Sequence, residues 1–506
     1  MNKFKIVITS YNNEKWAALC MSNITNQTYE NYEVLFFNDG STDNTLSIAK
    51  ERVKNTDTRF KFIDLKKNNT KSWIFANLLD QYIDDNDIVL FLDGDDWLSS
   101  DEVLQAINQY YELNDCWVGY GGMVVWNGGE NVTEPYPQNS EFPNQITRNR
   151  DYRKDTWRSS HVKTMRGFIW KSIDKKDFLS TQDNQYILGP DDLVIMFNAL
   201  ESCPADKICR FDFPTYVYNH SQTNAVRIQE HQKRRNVNYE AEIRSRPKKN
   251  LLPIITSELS GGLGNQMFQV AACISLAKRL GYVAMFDPDT HFLPLQGRKF
   301  ETYKTNVFRN LITSKNLHIS YTYNSDKFYF TQIPNIQPFT IIKGGFQSEK
   351  YFDKNEIYKF FGISDELKKS LIEKYGDVSN KISVHVRRGD YLKLYPHHVF
   401  VGEEYYKQAI DRMGNDREYL VFSDDMDWCK SFFKGKFDFI RDEDYNELYL
   451  MSMCENNIIG NSTFSWWGAW LNKNPMKKVI APKTWFGPGY ADWDTKDLIP
   501  EGWVKI

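Results

Sequence analysis

Residues 87–96 read DIVLFLDGDD, in which five consecutive apolar side chains, Ile88–Leu92, run straight into Asp93-Gly94-Asp95-Asp96. A half-buried strand alternates apolar and polar residues, so an unbroken apolar run marks a strand covered on both faces, the signature of a central parallel strand in an α/β sheet. Three carboxylates in four residues repel one another, and the arrangement makes most sense if a divalent cation neutralises them. They stand at the carboxyl end of the strand, where open α/β sheets bind ligands. The competing reading is an ordinary aspartate-rich turn, and the rest of the chain must decide between the two.

Strand-like runs at Lys5–Ser10, Tyr32–Asn38, Phe60–Asp64 and Ile88–Asp93 alternate with helical stretches such as Leu46–Val53 and Lys71–Tyr82. This rhythm predicts a mainly parallel sheet with flanking helices. It starts afresh after residue 250: Pro253–Glu258 is strand-like, SGGLGNQ is a glycine turn, Gln266–Leu280 has helical apolar spacing, and Tyr282–Phe286 is again a strand. A chain of 506 residues exceeds what one core supports. We therefore expect a first domain over 1–228, a second over 251–506, and a joint at 229–250. Residues 231–250 of that joint, HQKRRNVNYEAEIRSRPKKN, carry seven Lys/Arg against two Glu. Such a run reads as a solvated linker or connecting helix, or as a basic patch making peripheral contact with anionic lipid headgroups at a membrane.

The chain has 63 basic and 66 acidic side chains and a net charge of −3, a balance that excludes nucleic acid as a partner bound through the overall field. Its seven cysteines form no CxxC pair, so neither a zinc site nor a disulfide framework is expected, and the thiols are predicted to be buried and reduced. The start of the chain runs directly into a strand, and no stretch of 18 apolar residues occurs, which predicts a soluble, cytoplasmic protein.

The stretches KIVITSYN (5–12), YEVLFFNDGSTDNT (32–45) and FLDGDDW (91–97) occur in the order and spacing of the family 2 glycosyltransferases, which residues 3–225 resemble. The resemblance implies a GT-A fold, an inverting mechanism and a nucleotide-sugar donor, usually a UDP-sugar. It implies that Thr9 and Tyr11 line the nucleotide site, that Asp39 reads the base, and that Asp93 and Asp95 serve ribose and a Mg²⁺ or Mn²⁺ ion. Where the family often has Asp-Asp this chain has Asn38-Asp39. An inverting transfer needs a base for the acceptor hydroxyl. The family's acidic pair matches GPDDLVIMF (189–197), with Asp192 the first choice and Asp191 the second; the rival role for either is helix N-capping. His220, in YVYNHSQTN, is a further candidate metal ligand or simply a packed histidine. No QxxRW-like segment is present, so the processive polysaccharide synthases are a poor guide.

In the second half, GGLGNQMFQ (261–269) followed by Asp287 invites a dinucleotide reading, but Met267 replaces the third glycine of that fingerprint. The stretches GGFQSEKYF (344–352), HVRRGDY (385–391), FSDDMDWC (422–429), ENNIIGNSTFSWWGAWLN (455–472) and IAPKTWF (480–486) instead resemble the family 11 fucosyltransferases over about 253–500. That resemblance implies a GT-B-like pair of Rossmann-type lobes, a GDP-β-L-fucose donor, and α1,2 transfer with inversion and no cofactor. Arg387 then holds the diphosphate, with Arg388 in support or in the scaffold. His385 lines the nucleotide pocket, Ser462 and Thr463 offer donors to the phosphates, and Asp424 and Asp425 recognise guanine or shape its loop. Gly262, Gly264 and Asn265 form the glycine turn. Trp466 and Trp467 either stack on sugar or belong to the core, and the general base is not assignable.

The reading of the whole is a bifunctional glycosyltransferase. Its first half transfers a hexose such as galactose from a UDP-sugar, and its second adds L-fucose to a galactose-like residue of a growing glycan, whether free, lipid-linked or protein-linked. One alternative leaves only the fucosyltransferase active, with the first half a sugar-binding or targeting module. Another treats Arg388-Gly389-Asp390 as an exposed adhesion tripeptide.

Overall fold

The computed structural model describes residues 2–128, 133–135, 139–221, 237–293 and 300–506. The chain divides into two compact units, Met1–Leu252 and Pro253–Ile506.

In the first unit the apolar runs become the inner strands of a seven-stranded sheet. Its members are β1 (Phe4–Ser10), β2 (Tyr32–Asn38), β3 (Phe60–Asp64), β4 (Ile88–Asp93), β6 (Val118–Tyr120), β9 (Lys163–Arg166) and β10 (Ile208–Arg210), in the order β10-β6-β9-β4-β1-β2-β3. β1 lies between β2 and β4, parallel to both, and all seven of its residues are buried. β9 is antiparallel to β4 and β6. In register, Thr9 faces Phe37 on one side and Asp93 on the other, so the ends of three strands bring Thr9, Asn38 and Asp93 to one edge. A second sheet of β5 (Trp97–Leu98), β7 (Met123–Trp126), β8 (Thr133–Pro135) and β11 (Tyr216–Asn219) carries the chain away from that edge.

Two expectations are corrected here. Cys116 and Cys209 form a disulfide, with Cα atoms 6.0 Å apart, because β6 and β10 pair in parallel and bring the two positions together; the other five cysteines are free and buried. The joint is also not a wholly solvated linker. Its helix Tyr239–Ser245 buries Tyr239 and Ile243. Glu242 accepts from Ser180 Oγ at 2.6 Å and Thr181 N at 2.8 Å, and Arg153 Nη1 donates to Ile243 O at 2.6 Å. Amphipathic spacing thus docks residues 239–245 on the first unit, while the basic run 233–235 lies outside the described residues.

The second unit has two all-parallel sheets. One is β12 (Ile254–Ser257), β14 (Val283–Ala284), β16 (Tyr321–Asn324) and β17 (Thr340–Lys343), ordered β14-β12-β17-β16, with the short pair β13 (Leu259–Ser260) and β15 (Phe292–Leu293) beside it. The other is β18 (Ile382–Val386), β19 (Tyr419–Ser423), β20 (Phe437–Ile440), β21 (Asn456–Ile458), β22 (Val479–Ala481) and β23 (Val504–Lys505), ordered β20-β19-β18-β21-β22-β23. This is the expected pair of Rossmann-type lobes. Trp466 and Trp467 are fully buried and join one core cluster that includes Phe268 and Met267 of the first lobe, which settles them as core. Met267 is in that core too, so the position that lacks a fingerprint glycine is spent on packing. Asp287 likewise serves the scaffold, accepting from Asp289 N at 2.9 Å and Asn316 N at 2.9 Å while only 2% exposed.

Candidate active sites

At the strand edge of the first unit, the three carboxylates of DGDD have separate environments. Asp96 is 1% exposed and accepts from Tyr216 Oη at 2.6 Å and Asn219 N at 2.8 Å; burial, reinforced by Asp95 and Asp93, raises its pKa well above the usual range. It ties the two sheets together. Asp93 is paired with Lys71, and Asp93 and Asp95 remain half-exposed at the mouth. Gly94 is required because a Cβ there would sit 2.6 Å from Ser10 Cβ. Carboxylates are hard oxygen donors of the kind a Mg²⁺ or Mn²⁺ ion takes, with phosphate oxygens and water filling the rest of its shell. His220 is exposed and adjoins the undescribed residues 222–236; among the described residues no cluster of three His, Cys, Asp or Glu forms.

Asp39, expected to read the base, is engaged with the neighbouring loop. Its Oδ1 accepts from Asn69 N at 2.8 Å and its Oδ2 from Thr70 N at 2.9 Å. It thus pins the loop after β3, and burial holds its pKa above the ordinary value. Gly40, at φ +72°, lets the chain pass that loop, where a Cβ would fall 2.3 Å from Lys67 C. Thr9 is 5% exposed, and Tyr11 is half-exposed at the strand end.

The acidic pair opens the helix Asp191–Ser202, and neither carboxylate caps it. Asp191 is buried and raised by that burial; Asp192 is pulled the other way, since burial raises it but Lys163 and then His161 outweigh that effect. Asp192 pairs with Lys163 Nζ and lies 3.5 Å from His161 Nε2. Its side chain is 25% exposed, against 5% for Asp191 as a residue, so Asp192 is the carboxylate with access. His161 stacks on Tyr216 at 4.5 Å, and burial lowers its pKa to about 4. Sequence reasoning missed Lys71, His161 and Lys163, because each lies on an element remote in sequence from the aspartate it faces.

In the second unit a cavity of about 370 Å³ is bounded by both lobes. It brings together Gly262, Gly264, Asn265, His385, Arg387, Asp424, Ser462 and Thr463, and it adds Gln347, Arg441, Asp444, Glu447 and Asn461, which sequence reasoning missed. Arg441 follows directly on β20, the same cation-after-strand signal as Arg387, and could have been found; Glu447, within an apolar helix, carried none. The helices Leu263–Leu280 and Thr463–Leu471 both begin at this cavity, each offering unpaired N–H groups and a positive dipole end. Gly264 permits their contact, since a Cβ would lie 2.4 Å from Thr463 C, and Thr463 Oγ1 donates to Asn265 Oδ1 at 2.8 Å. A Cβ on Gly262 would meet nothing within 4 Å and would project into open space.

Arg387 Nη2 donates to Asp390 Oδ2 at 2.6 Å, and its Nε lies 3.5 Å from Asp424 Oδ2. Although burial acts to raise it, the Asp424 carboxyl is held below the usual range by the Arg388 amide and Arg387. For Arg388 and Asp425 the contacts favour the scaffold and loop-shaping alternatives. Neither lines the cavity: they pair with each other, Arg388 lies over Trp428 at 5.2 Å, and Asp425 caps the helix Met426–Phe432 through Trp428 N at 3.2 Å. The tripeptide 388–390 is therefore bound up internally and is not displayed as an adhesion ligand. His385 is 5% exposed, its pKa is lowered chiefly by burial, and its Nδ1 has no partner; the buried Oε1 of Gln347 also has none. Burial raises Glu447 to about 7. Orphaned polar atoms in an arginine-lined cavity mark a place built for a polar ligand.

Each unit is an α/β domain, with a mixed main sheet in the first and all-parallel sheets in the second, and each gathers charged groups at strand ends, the arrangement of an enzyme that binds an anionic ligand there. Residues 224–506 match the model for glycosyl transferase family 11 and residues 5–174 that for glycosyl transferase family 2. The chain belongs to family 11 and carries a family 2 domain ahead of it. The family 11 match starts at residue 224, ahead of the expected joint at 229–250 and of the compact unit at Pro253, and Asp191 and Asp192 lie beyond the family 2 match. The O-antigen biosynthesis glycosyltransferase WbnK of Escherichia coli is 30% identical over 311 residues, covering 49% of this chain and 99% of WbnK. An alpha-1,2-colitosyltransferase of Escherichia coli is 30% identical over 308 residues, 50% of this chain and 99% of that one. A galactoside 2-alpha-L-fucosyltransferase of Caenorhabditis elegans is 28% identical over 255 residues, 44% of this chain and 70% of that one. Among solved structures, S. aureus TarS 1-349 in complex with UDP-GlcNAc is 20% identical with a TM-score of 0.32, over 44% of this chain and 60% of TarS 1-349. No helix among the described residues is long and apolar enough to cross a membrane.

Proposed function

We propose that the second unit transfers L-fucose from GDP-β-L-fucose in α1,2 linkage, and that the first unit transfers a hexose, galactose for preference, from a UDP-sugar. The observation that carries the second-unit reading is the convergence of Arg387, Arg441 and two helix N-termini on one cavity. A departing diphosphate needs such compensation, and arginine supplies it bidentately without a metal. Asp424 and Asp444 are already engaged by Arg387 and by Tyr303 Oη at 2.5 Å. Glu447, which takes Asp442 N only at Oε1, is the carboxylate placed to receive the N–H edge of guanine. The names of the relatives support a deoxyhexose donor, fucose in one and colitose in another.

In the first unit Asp93 and Asp95 would hold Mg²⁺ or Mn²⁺ against the donor diphosphate, offsetting its charge as it leaves. Asp192, the accessible member of the pair, takes the acceptor proton, and Lys163 keeps it ionised. Joining both units in one chain gives the second a high local concentration of the first product. A second reading, in which only the fucosyltransferase acts, is supported by one fact: the match takes in 99% of WbnK but 49% of this chain, so about half of this chain's length suffices for that glycosyltransferase.

The test is to incubate the full chain with a simple glycan acceptor and both donors, then omit each donor singly. Product carrying both sugars only when both donors are present supports the relay. Fucose transfer indifferent to the UDP-sugar, on an acceptor without terminal galactose, overturns it.

A further inference from the structure

Lys71 pairs with Asp93, the first carboxylate of DGDD. The spacing of two elements puts it there. Phe75 of the helix Lys71–Asn77 packs edge-on against Phe91 of β4, with ring centroids 5.4 Å apart. Lys71 lies one helical turn back from Phe75, a rise of about 6 Å, and Asp93 lies two strand residues beyond Phe91, about 6.6 Å. Once the two rings meet, the ammonium falls beside the carboxylate. We propose that Lys71 is a built-in counterion that competes with the divalent ion for Asp93, so that the first unit takes its ion together with the donor diphosphate and not before it; this rests on reading the DGDD edge as the ion and diphosphate site.

The loop ahead of the helix is built to hold Lys71 in place. Asp39 accepts from Asn69 N at 2.8 Å and from Thr70 N at 2.9 Å. Thr70, the N-cap, stands at φ +84°, a conformation that strains a β-branched residue and that persists only where its surroundings enforce it. The pair is also partly withdrawn from water, with the Lys71 side chain 29% exposed and that of Asp93 14%. Solvent and salt therefore screen it less than a surface ion pair, and a second cation must displace it to reach Asp93. Lys71 and Asp93 both act on the carboxyls of Asp191 and Asp192, which places the pair within electrostatic reach of the candidate base.

A Mg²⁺ or Mn²⁺ ion draws on carboxylate, phosphate and water oxygens and gives up its own waters reluctantly. With Asp93 committed to an ammonium, the donor-free edge offers such an ion fewer oxygens and less negative charge. A diphosphate brings further anionic oxygens, some for the ion and some for Lys71. Lysine suits the exchange, because its compact charge sits on a flexible stem with three donors and can leave a carboxylate for a phosphate oxygen. Lys71 then keeps an anionic partner throughout and is never left as an uncompensated charge in the cleft. When the nucleoside diphosphate departs, Asp93 regains Lys71, and the ion is released with the product.

Mn²⁺ binding by the full chain, read from the EPR signal of the free aquo ion with and without UDP, tests the assignment. We expect the parent to hold Mn²⁺ more tightly with UDP than without it. Lys71→Met and Lys71→Gln, which keep the stem and remove the charge, are expected to tighten Mn²⁺ binding without UDP by about tenfold, the scale of removing one nearby cation from a partly buried site. Both variants should weaken UDP binding at saturating Mn²⁺, and Lys71→Arg should leave the ion affinity without UDP close to that of the parent. Because the expected change is a gain of ion affinity, a failure to fold cannot imitate it. Mn²⁺ affinity without UDP that is unchanged or weaker in both uncharged variants overturns the competition. Mn²⁺ bound by neither parent nor variants, with or without UDP, overturns the ion site and the competition together. Absence of UDP binding by the parent, with Mn²⁺ still held more tightly by both uncharged variants, overturns the donor reading and leaves Lys71 as the ion's competitor for Asp93.

Discussion

Arg387 donates through Nη2 to Asp390 Oδ2 at 2.6 Å. A strand-end arginine is thus held in place by the turn that follows it, with its Nε side toward Asp424 and the cavity. A diphosphate bound there, as proposed, would meet a guanidinium that is already oriented, with little ordering left to be done on binding.

Replacing Arg387 should therefore remove stabilisation of the leaving group. Arg387→Ala is expected to lower kcat for fucose transfer by about 10²–10³, the scale of losing one preorganised donor to a developing anion. Arg387→Lys should recover little of it, because the bidentate fork is gone. Arg388→Lys, remote from the cavity, should cost stability through its Trp428 and Asp425 contacts and leave KM for the donor within about twofold. Steady-state kinetics beside thermal melts distinguish the two.

In the first unit, Asp192→Asn should reduce hexose transfer by about 10²–10⁴, the range expected for a lost general base. Asp191→Asn should cost less. Because Lys163 holds Asp192 below the ordinary carboxylate range, the acidic limb of the rate profile should lie at low pH. Lys163→Met removes that hold, so the Asp192 pKa rises and the limb moves to higher pH. A limb unmoved in Lys163→Met would place the base elsewhere.

Glu447 gives a stability signature. Its carboxyl is raised from 4.5 to about 7 by burial, so the folded state keeps a proton that the unfolded state has lost between those values. The stabilisation is full below about pH 4.5 and is lost as pH rises through about 7, amounting to about 3 kcal/mol. Glu447→Gln should abolish this dependence and melt higher than the parent at pH 7.5, with the difference closing toward pH 4.5.

The cysteines are countable. Alkylation of the unfolded, unreduced chain should modify five cysteines, and alkylation after reduction all seven, with the difference mapping to peptides containing Cys116 and Cys209. Seven in both states would show that the pair is open in the protein as prepared.

Much of this was legible in the residues. The apolar run Ile88–Leu92 announced a central buried strand, the second start near residue 253 announced a second α/β unit, and the stretch around Arg387 announced charge at a strand end, because these signals are local: a strand writes its burial into consecutive residues, and a strand-end turn writes its charge beside them. Three relationships needed geometry. The oxygens of Asp39 meet the amides of Asn69 and Thr70, some thirty positions on. Arg388 stands next to Arg387 and faces the other way, since successive residues leaving a strand diverge. Cys116 and Cys209 are 93 residues apart and meet only because their strands pair.

The amino-acid order by itself determined the fold class, the two-unit division and the positions of the strand-end clusters, since burial and turn chemistry act over a few residues. Tertiary structure alone decided which charges meet, Lys163 with Asp192 and Arg387 with Asp424, and which residues remote in sequence share one cavity wall, Arg387 with Arg441 and Glu447. Electrostatic and hydrogen-bonding energies depend on distance and solvent exposure in space, and the sequence specifies those only through the folded chain.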